Sequence, residues 1–312
     1  MADGGLRIRA MRPQEIALAV DWAAAEGWNP GLADAGCFGT VDPEGFLIGE
    51  IDGAPAATIS TVNYDDRFAF LGFYIVRPDL RGRGYGLRIW NAAVAHAGAR
   101  IIGLDGVVAQ QGNYRKSGFA LAYANIRYGG MVAPTTRADE PGSGRVSGAR
   151  TIEVPRWPLA SLASAAAAPA DVVPLSDVPF ATVEADDATV FPAPRRAFLR
   201  AWIETQGHVG RALVRDGRLA AWGVIRPCRT GHKIGPLVAD DRAGAETIFT
   251  ALTAAAGGGE VFLDVPSVNA DAAALAHGHG LAPVFETARM YTGPIRPVRI
   301  ERVFGVTTFE LG

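Results

Sequence analysis

Arg81-Gly82-Arg83-Gly84-Tyr85-Gly86 combines residue types suited to holding an anion. Alternating glycines can take positive φ and keep side chains clear, so successive backbone N–H groups can converge on one ligand. Arg81 and Arg83 add charge. The run follows an apolar stretch, Phe70 to Val76, that reads as a strand. It precedes Leu87 to Ala99, where Leu87, Trp90, Ala93, Val94 and Ala97 recur with helical spacing. Strand, glycine loop and helix N-terminus together make a cradle for phosphate oxygens. A Walker loop needs Lys-Ser or Lys-Thr after its last glycine, and none follows here. A dinucleotide fingerprint needs Gly-x-Gly-x-x-Gly early in a βαβ unit, which Gly82-x-Gly84-x-Gly86 does not supply. Arg-Gly repeats that bind nucleic acid are long and lie in disordered sequence, whereas ordered apolar segments flank this loop.

A second element, Tyr114-Arg115-Lys116-Ser117-Gly118-Phe119, follows a strand-like segment, Ile101 to Val108. Arg81, Gly84 and Gly86 after Val76-Arg77-Pro78, with this second element in order, resemble motif A and the Tyr-x-x-x-Gly-Phe of the GNAT superfamily of acyl-CoA-dependent N-acetyltransferases. The resemblance implies acetyl-CoA as cosubstrate and no metal. It also implies direct acetyl transfer to a primary amine of a small molecule within a ternary complex. Tyr74, Ile75 and Val76 would lie beside the pantetheine arm, with an amide near Ile75 polarising the thioester carbonyl. Amides from Arg81, Gly82, Arg83, Gly84, Tyr85, Gly86 and Leu87 would hold the pyrophosphate. Tyr114 would protonate the departing thiolate. Asn113 counts with the cofactor residues; with Gln110 and Gln111 it could instead line the acceptor side or cap the next helix. A non-catalytic acyl-CoA sensor or scaffold is the competing function, and protein acetylation a third.

On the acceptor side, Glu26, Trp28 and Asn29 offer charge, an aromatic wall and a hydrogen bond, and Glu26 is a candidate base. The same residues read equally as a helix end followed by a Pro-Gly turn. Asp105 is a candidate base or substrate ligand. Its recurrence as Asp264 in a matching place favours a shared structural role as strongly. Asp264 and Arg289 could join the acceptor pocket if the two halves pack face to face.

The chain reads as one plan carried twice. Asp52-Gly53 and Asp216-Gly217 each join two alternating apolar runs, as hairpin turns do. A helix-like segment, a strand ending in Asp105 or Asp264, and a closing Gly-apolar pair follow both. The expected fold is α/β, of mixed α+β sheet type, in two tandem GNAT-like domains: 1–132 with the cofactor loop, a linker over 133–150, and a divergent 151–312. In the second copy the loop position reads Val238-Ala239-Asp240-Asp241-Arg242-Ala243-Gly244-Ala245, where two aspartates oppose a pyrophosphate. The β-prone run Val303 to Leu311 is expected to add a strand to one sheet.

The chain's 312 residues favour two domains, and 49% hydrophobic against 20% charged residues is ordinary globular composition. A net charge of −2 gives no support for nucleic acid or an anionic membrane as partner. Met1 to Glu15 shows no apolar core of a secretory signal, and no run is long enough to span a bilayer. Cys37 and Cys228, far apart, suggest buried thiols in a reducing compartment, hence a cytoplasmic protein. The histidines lack zinc-ligand spacing. A monomer or homodimer is expected.

Overall fold

Both Asp-Gly pairs form the expected hairpin turns, with φ of +51° and +78° at Asp52 and Gly53 and +51° and +71° at Asp216 and Gly217. The computed structural model describes residues 5–133 and 171–312. The linker expected over 133–150, apart from Ala133, lies outside the described residues. The first half runs β1 (Arg7–Ala10), α1 (Ile16–Ala25), α2 (Asp34–Phe38), β2 (Phe46–Ile51), β3 (Ala54–Asn63), β4 (Phe68–Val76), α3 (Tyr85–Ala97), β5 (Ile101–Val107), α4 (Gln111–Lys116) and β6 (Ala120–Val132). The second repeats the plan with β7 (Asp171–Pro174), α5 (Phe180–Asp187), α6 (Arg196–Glu204), β8 (Val209–Arg215), β9 (Arg218–Pro227), β10 (His232–Ala239), α7 (Arg242–Ala255), β11 (Gly259–Pro266), α8 (Ala270–Gly278) and β12 (Ala282–Tyr291). A short β13 (Val303–Gly305) follows.

The sheets of the two halves join edge to edge in the order β1-β2-β3-β4-β5-β12-β6-β11-β10-β9-β8-β7. Each half lends its sixth strand to the other: β12 pairs with β5, and β6 pairs with β11. The register places Asp105 opposite Arg289 and Asp264 opposite Arg127. The duplication seen in the sequence is thus a pseudo-twofold in space, with its axis between β12 and β6.

Alternation along the strands explains the layers. Phe46, Ile48, Phe68, Phe70 and Phe73 face one core, while Leu47, Ala69 and Leu71 face the other, under α3. The first core is shared by both halves. Phe38 of α2 stacks on Trp202 of α6 with ring centroids 6.2 Å apart, and Asp34 pairs with Arg226 at 2.9 Å, both carriers fully buried. The second half has its own core under α7 and α8, built on Leu213, Ile225, Leu237 and Leu263. Cys37 and Cys228 are free and buried, and burial pushes both thiols up.

β13 adds to the sheet antiparallel to β10. The chain then folds back across the interface. The Tyr64 hydroxyl donates to Leu311 O at 2.7 Å, and Thr308 Oγ1 accepts from the amides of Glu310 and Leu311 at 2.9 and 3.1 Å. Among the described residues no helix is long and apolar enough to cross a membrane, and no group of three or more His, Cys, Asp or Glu could hold a metal.

Candidate active site

β4 and β5 pair in parallel only from Phe68–Leu71 against Ile101–Leu104. Beyond that they diverge, and a cavity of about 480 Å³ opens between them. The divergence starts at a bulge in β4, where the β3 register slips between Thr58 and Ser60. Phe73 sits there with φ +49°, and the buried Thr58 hydroxyl donates to Phe73 O at 3.0 Å. A bulge re-aims backbone groups. Here it leaves the β5-facing backbone of Gly72 to Val76 without a strand partner, lining the cavity.

The glycine loop closes one end of that cavity. Gly82 and Gly84 take φ of +77° and +84°, while Gly86 lies inside α3. Gly86 is small for a different reason: a Cβ there would lie 2.6 Å from the Tyr74 hydroxyl and 3.3 Å from Val76 Cγ2. Alternating glycines therefore serve two purposes, left-handed backbone at the first two and close helix-strand approach at the third. α3 has Gly84 as N-cap and no side chain bonded to its first amides. Those donors and the helix dipole are available to an anion. The cradle, the strand bulge and the cleft fit the extended, phosphate-ended shape of an acyl-CoA.

Tyr74, Ile75, Val76, Arg81, Gly82, Gly84, Gly86 and Leu87 all line the cavity. Arg83, Tyr85 and Asn113 do not; Asn113 donates to Gln110 Oε1 at 2.7 Å, and it is Gln110 that reaches the cavity. Tyr114 lines the cavity and is buried, its ring stacked on Trp90 with centroids 5.7 Å apart and edge-on to Phe119. Gly106 makes room for it, since a Cβ there would lie 2.2 Å from Tyr114 Cε2. Burial, and secondarily Tyr74, pushes the Tyr114 hydroxyl up to about 12. Such a phenol stays protonated at neutral pH and can act as a proton donor.

The acceptor-side residues separate. Glu26 and Trp28 line the cavity, and Glu26 is ion-paired with Arg81 across its mouth. Asn29 is elsewhere: its side chain clips both backbone groups of Thr230 at 2.9 and 3.0 Å, tying the halves together. Asp105 borders the cavity, but its carboxylate is spent. It accepts from Arg289 Nε and Nη2 at 2.8 and 2.6 Å and from Asn125 Nδ2 at 2.8 Å. Through these three bonds Asp105 ties β5 to Arg289 of β12 and Asn125 of β6. Asp264 repeats the arrangement with Arg127 at 2.6 and 2.8 Å. Neither Asp264 nor Arg289 reaches the large cavity, because each is the buried half of a cross-half ion pair.

The second half does close the acceptor end, through residues that sequence reasoning passed over. Phe285 and Thr287 of β12, and Phe309 and Glu310 of the final segment, complete the cavity wall. The β-prone character of residues 303–311 was the sequence signal for Phe309 and Glu310; none pointed to Phe285 and Thr287.

Comparisons with known proteins agree with this geometry. Residues 15–119 match the model of the acetyltransferase (GNAT) family, and residues 183–305 that of an acetyltransferase (GNAT) domain. Holothin acyltransferase of Pseudoalteromonas sp. (strain SANK 73390) is 30% identical over 301 residues, spanning 96% of this chain and 92% of that protein. A solved structure from Pyrococcus horikoshii, described as an acetyltransferase, aligns with a TM-score of 0.76 at 22% identity over 100% of this chain and 98% of its own. A tandem GNAT protein from the clavulanic acid biosynthesis pathway aligns at 0.59 and 15% identity, over 93% and 99%. At these identities the two structures establish the shared fold across both halves.

Proposed function

The chain belongs to the GNAT acyltransferases as a tandem member, and from that premise we propose that it moves an acetyl group from acetyl-CoA to a primary amine of a small molecule. The carrying observation is one open cleft of about 480 Å³. It joins a glycine cradle, a strand bulge and a buried, protonated Tyr114 to an acceptor end roofed by the second half. Acetyl-CoA would supply the thioester. Backbone groups of the β4 bulge, beyond the end of its pairing with β5, would offer amides where carbonyl charge develops, as an oxyanion-type site requires. The Tyr114 hydroxyl gives its proton to the leaving sulfur. Arg81 Nε donates to Val76 O at 2.9 Å and holds the loop against the strand. Residues of the second half at the acceptor end narrow the cleft there, which favours a compact acceptor over a protein chain. The name of the 30%-identical relative, an acyltransferase acting on holothin, supports a small-molecule acceptor.

The test is calorimetric titration with acetyl-CoA, followed by thiol release against a panel of amines. One site per chain with amine-dependent thiol release is expected. Binding without transfer to any amine would favour a sensor, and no binding would remove the acetyltransferase reading.

A further inference from the structure

Glu310 is a buried acidic group that lines the large cavity and that no contact among the described residues explains. It is 3% exposed, its Oε1 has no hydrogen-bond partner among the described residues, and it lines the large cavity. Thr287, 2% exposed and on the same wall, likewise leaves its Oγ1 unpartnered. Buried polar atoms without partners cost free energy and call for an explanation, and a bound ligand is one. The backbone is held firmly where this happens. Glu310 O lies 2.2 Å from where a Cβ of Gly72 would be, so the segment lies flat against the β4 bulge only because residue 72 is glycine. The cations that feel Glu310 are Arg127, Arg226 and Lys233. Arg127 pairs with Asp264 and Arg226 with Asp34, and among the described residues no hydrogen bond joins Glu310 Oε1 to any of the three. The cavity's other acidic side chain near the acceptor end, Glu26, already holds Arg81 and is partly exposed. Trp28, Phe285 and Phe309 supply aromatic walls, the last two backed by the Arg127 guanidinium at 5.6 and 4.8 Å from their centroids.

We propose that Glu310 and Thr287 receive the amine of the acceptor, that Glu310 is its proton acceptor, and that the acceptor is a compact primary amine carrying a flat apolar body. This rests on the acetyltransferase reading above. The amine arrives as R–NH3⁺ and leaves one proton on a Glu310 carboxylate oxygen. Its freed lone pair forms the N–C bond as the acyl C–S bond breaks. Tyr114 gives its proton to the sulfur and regains one from the nitrogen, and Glu310 returns its proton to water. The sum is one amide, one thiol and one released proton. The second half and the final segment thus complete the catalytic site as well as supporting it.

The probes are 2-phenylethylamine, spermidine and glucosamine, with acetyl-CoA affinity measured separately by calorimetry. The wild type is expected to prefer 2-phenylethylamine by about 10-fold or more in kcat/KM, the scale set by one aromatic body in an apolar pocket. Glu310→Gln should bind acetyl-CoA as the wild type does, yet lose about 100-fold or more in kcat/KM, the usual worth of a positioned base. Part of that loss should return as pH rises toward the pKa of the amine, because free amine then needs no acceptor. Glu310→Asp should recover part of the activity and Thr287→Val should raise KM for the amine. Wild-type turnover in Glu310→Gln, with acetyl-CoA affinity retained, overturns the role of Glu310. A preference for spermidine or glucosamine overturns the acceptor class while leaving acetyl transfer standing. Acetyl-CoA binding without transfer to any amine removes the acetyltransferase reading and this inference with it.

Discussion

The two halves fold into the same V-shaped pair of strands and treat it in opposite ways. In the first half β4 and β5 part after Leu71 and Leu104, and the gap is open. In the second, β10 and β11 pair at His232–Ile234 with Val261–Leu263 and then part in the same manner. There β13 fills the gap, pairing with β10 at Leu237 and Val238, while the Val306 amide donates to Asp264 O of β11 at 2.9 Å. Gly305 lets it seat, since a Cβ there would lie 2.6 Å from Leu263 Cδ1. The chain supplies to its own second half the extra strand-like partner that a ligand's amide-bearing arm would supply to the first. Both long strands carry a bulge, but the second bulge contains Pro236, which has no N–H to offer. The helix ends differ as well. α3 begins at a bare Gly84, whereas Asp241 caps α7 by accepting from Gly244 N at 2.7 Å and also pairs with Arg215. The second cleft thus differs from the first at the strand gap, at the bulge and at the helix end.

The largest expected difference between the clefts is in cofactor binding. Gly86→Asp places a side chain against the Tyr74 hydroxyl and a negative charge beside the phosphate cradle. Acetyl-CoA affinity should fall by about 1000-fold or more, through steric loss and like-charge repulsion together. Calorimetry should then show no site in the variant against one in the wild type. A residual site of wild-type affinity would mean that the second cleft, not the first, holds the ligand.

Next in size are the ion pairs on which the halves agree. Asp105→Asn and Asp264→Asn each strand a buried guanidinium, so each should cost about 3 kcal/mol of stability, the usual penalty for breaking a buried pair. Urea unfolding midpoints should fall for both. If Asp105→Asn kept its stability and lost only turnover, Asp105 would be restored as a catalytic base and the symmetry argument would fail.

These pairs also show what the sequence made legible. The recurrence of Asp105 as Asp264 was visible, and so was the possibility that the repetition was structural. Their arginine partners were not recognisable, because Arg127 and Arg289 meet them only after β6 and β12 cross to the opposite half. The strand, glycine loop and helix of the first cleft were legible because their requirements are local: glycines for positive φ or close approach, a strand before and a helix after. Asn29, Asp264 and Arg289 were misplaced as acceptor ligands because their surroundings depend on how the halves join. Glu310 escaped for the same reason: it reaches the Gly72 bulge from the far end of the sequence, and no spacing rule operates across such a distance.

Tyr114→Phe probes the open cleft more finely. The ring's stacking on Trp90 and its fit over Gly106 survive, so acetyl-CoA affinity should hold. Turnover should drop about 100-fold, as loss of a positioned acid does. Because burial holds the hydroxyl near 12, the proton is present across the whole neutral range. The wild-type kcat profile should show no basic decline from Tyr114 below about pH 11. An unchanged turnover in the variant would show that the sulfur leaves without help from this residue.

The smallest expected effect concerns what would keep a ligand out of the second cleft. If Asp241 at its helix end were the sole obstacle, removing it should create a site. Asp241→Gly removes the N-cap of α7 and its bond to Gly244 N, and should cost about 1 kcal/mol or less of stability. Stoichiometry should nevertheless remain one acetyl-CoA per chain, because β13 and Val306 still occupy the gap between β10 and β11. A second site appearing in Asp241→Gly would mean that β13 yields to a ligand, and that charge at the helix end, not occupancy of the cleft, separates the two halves.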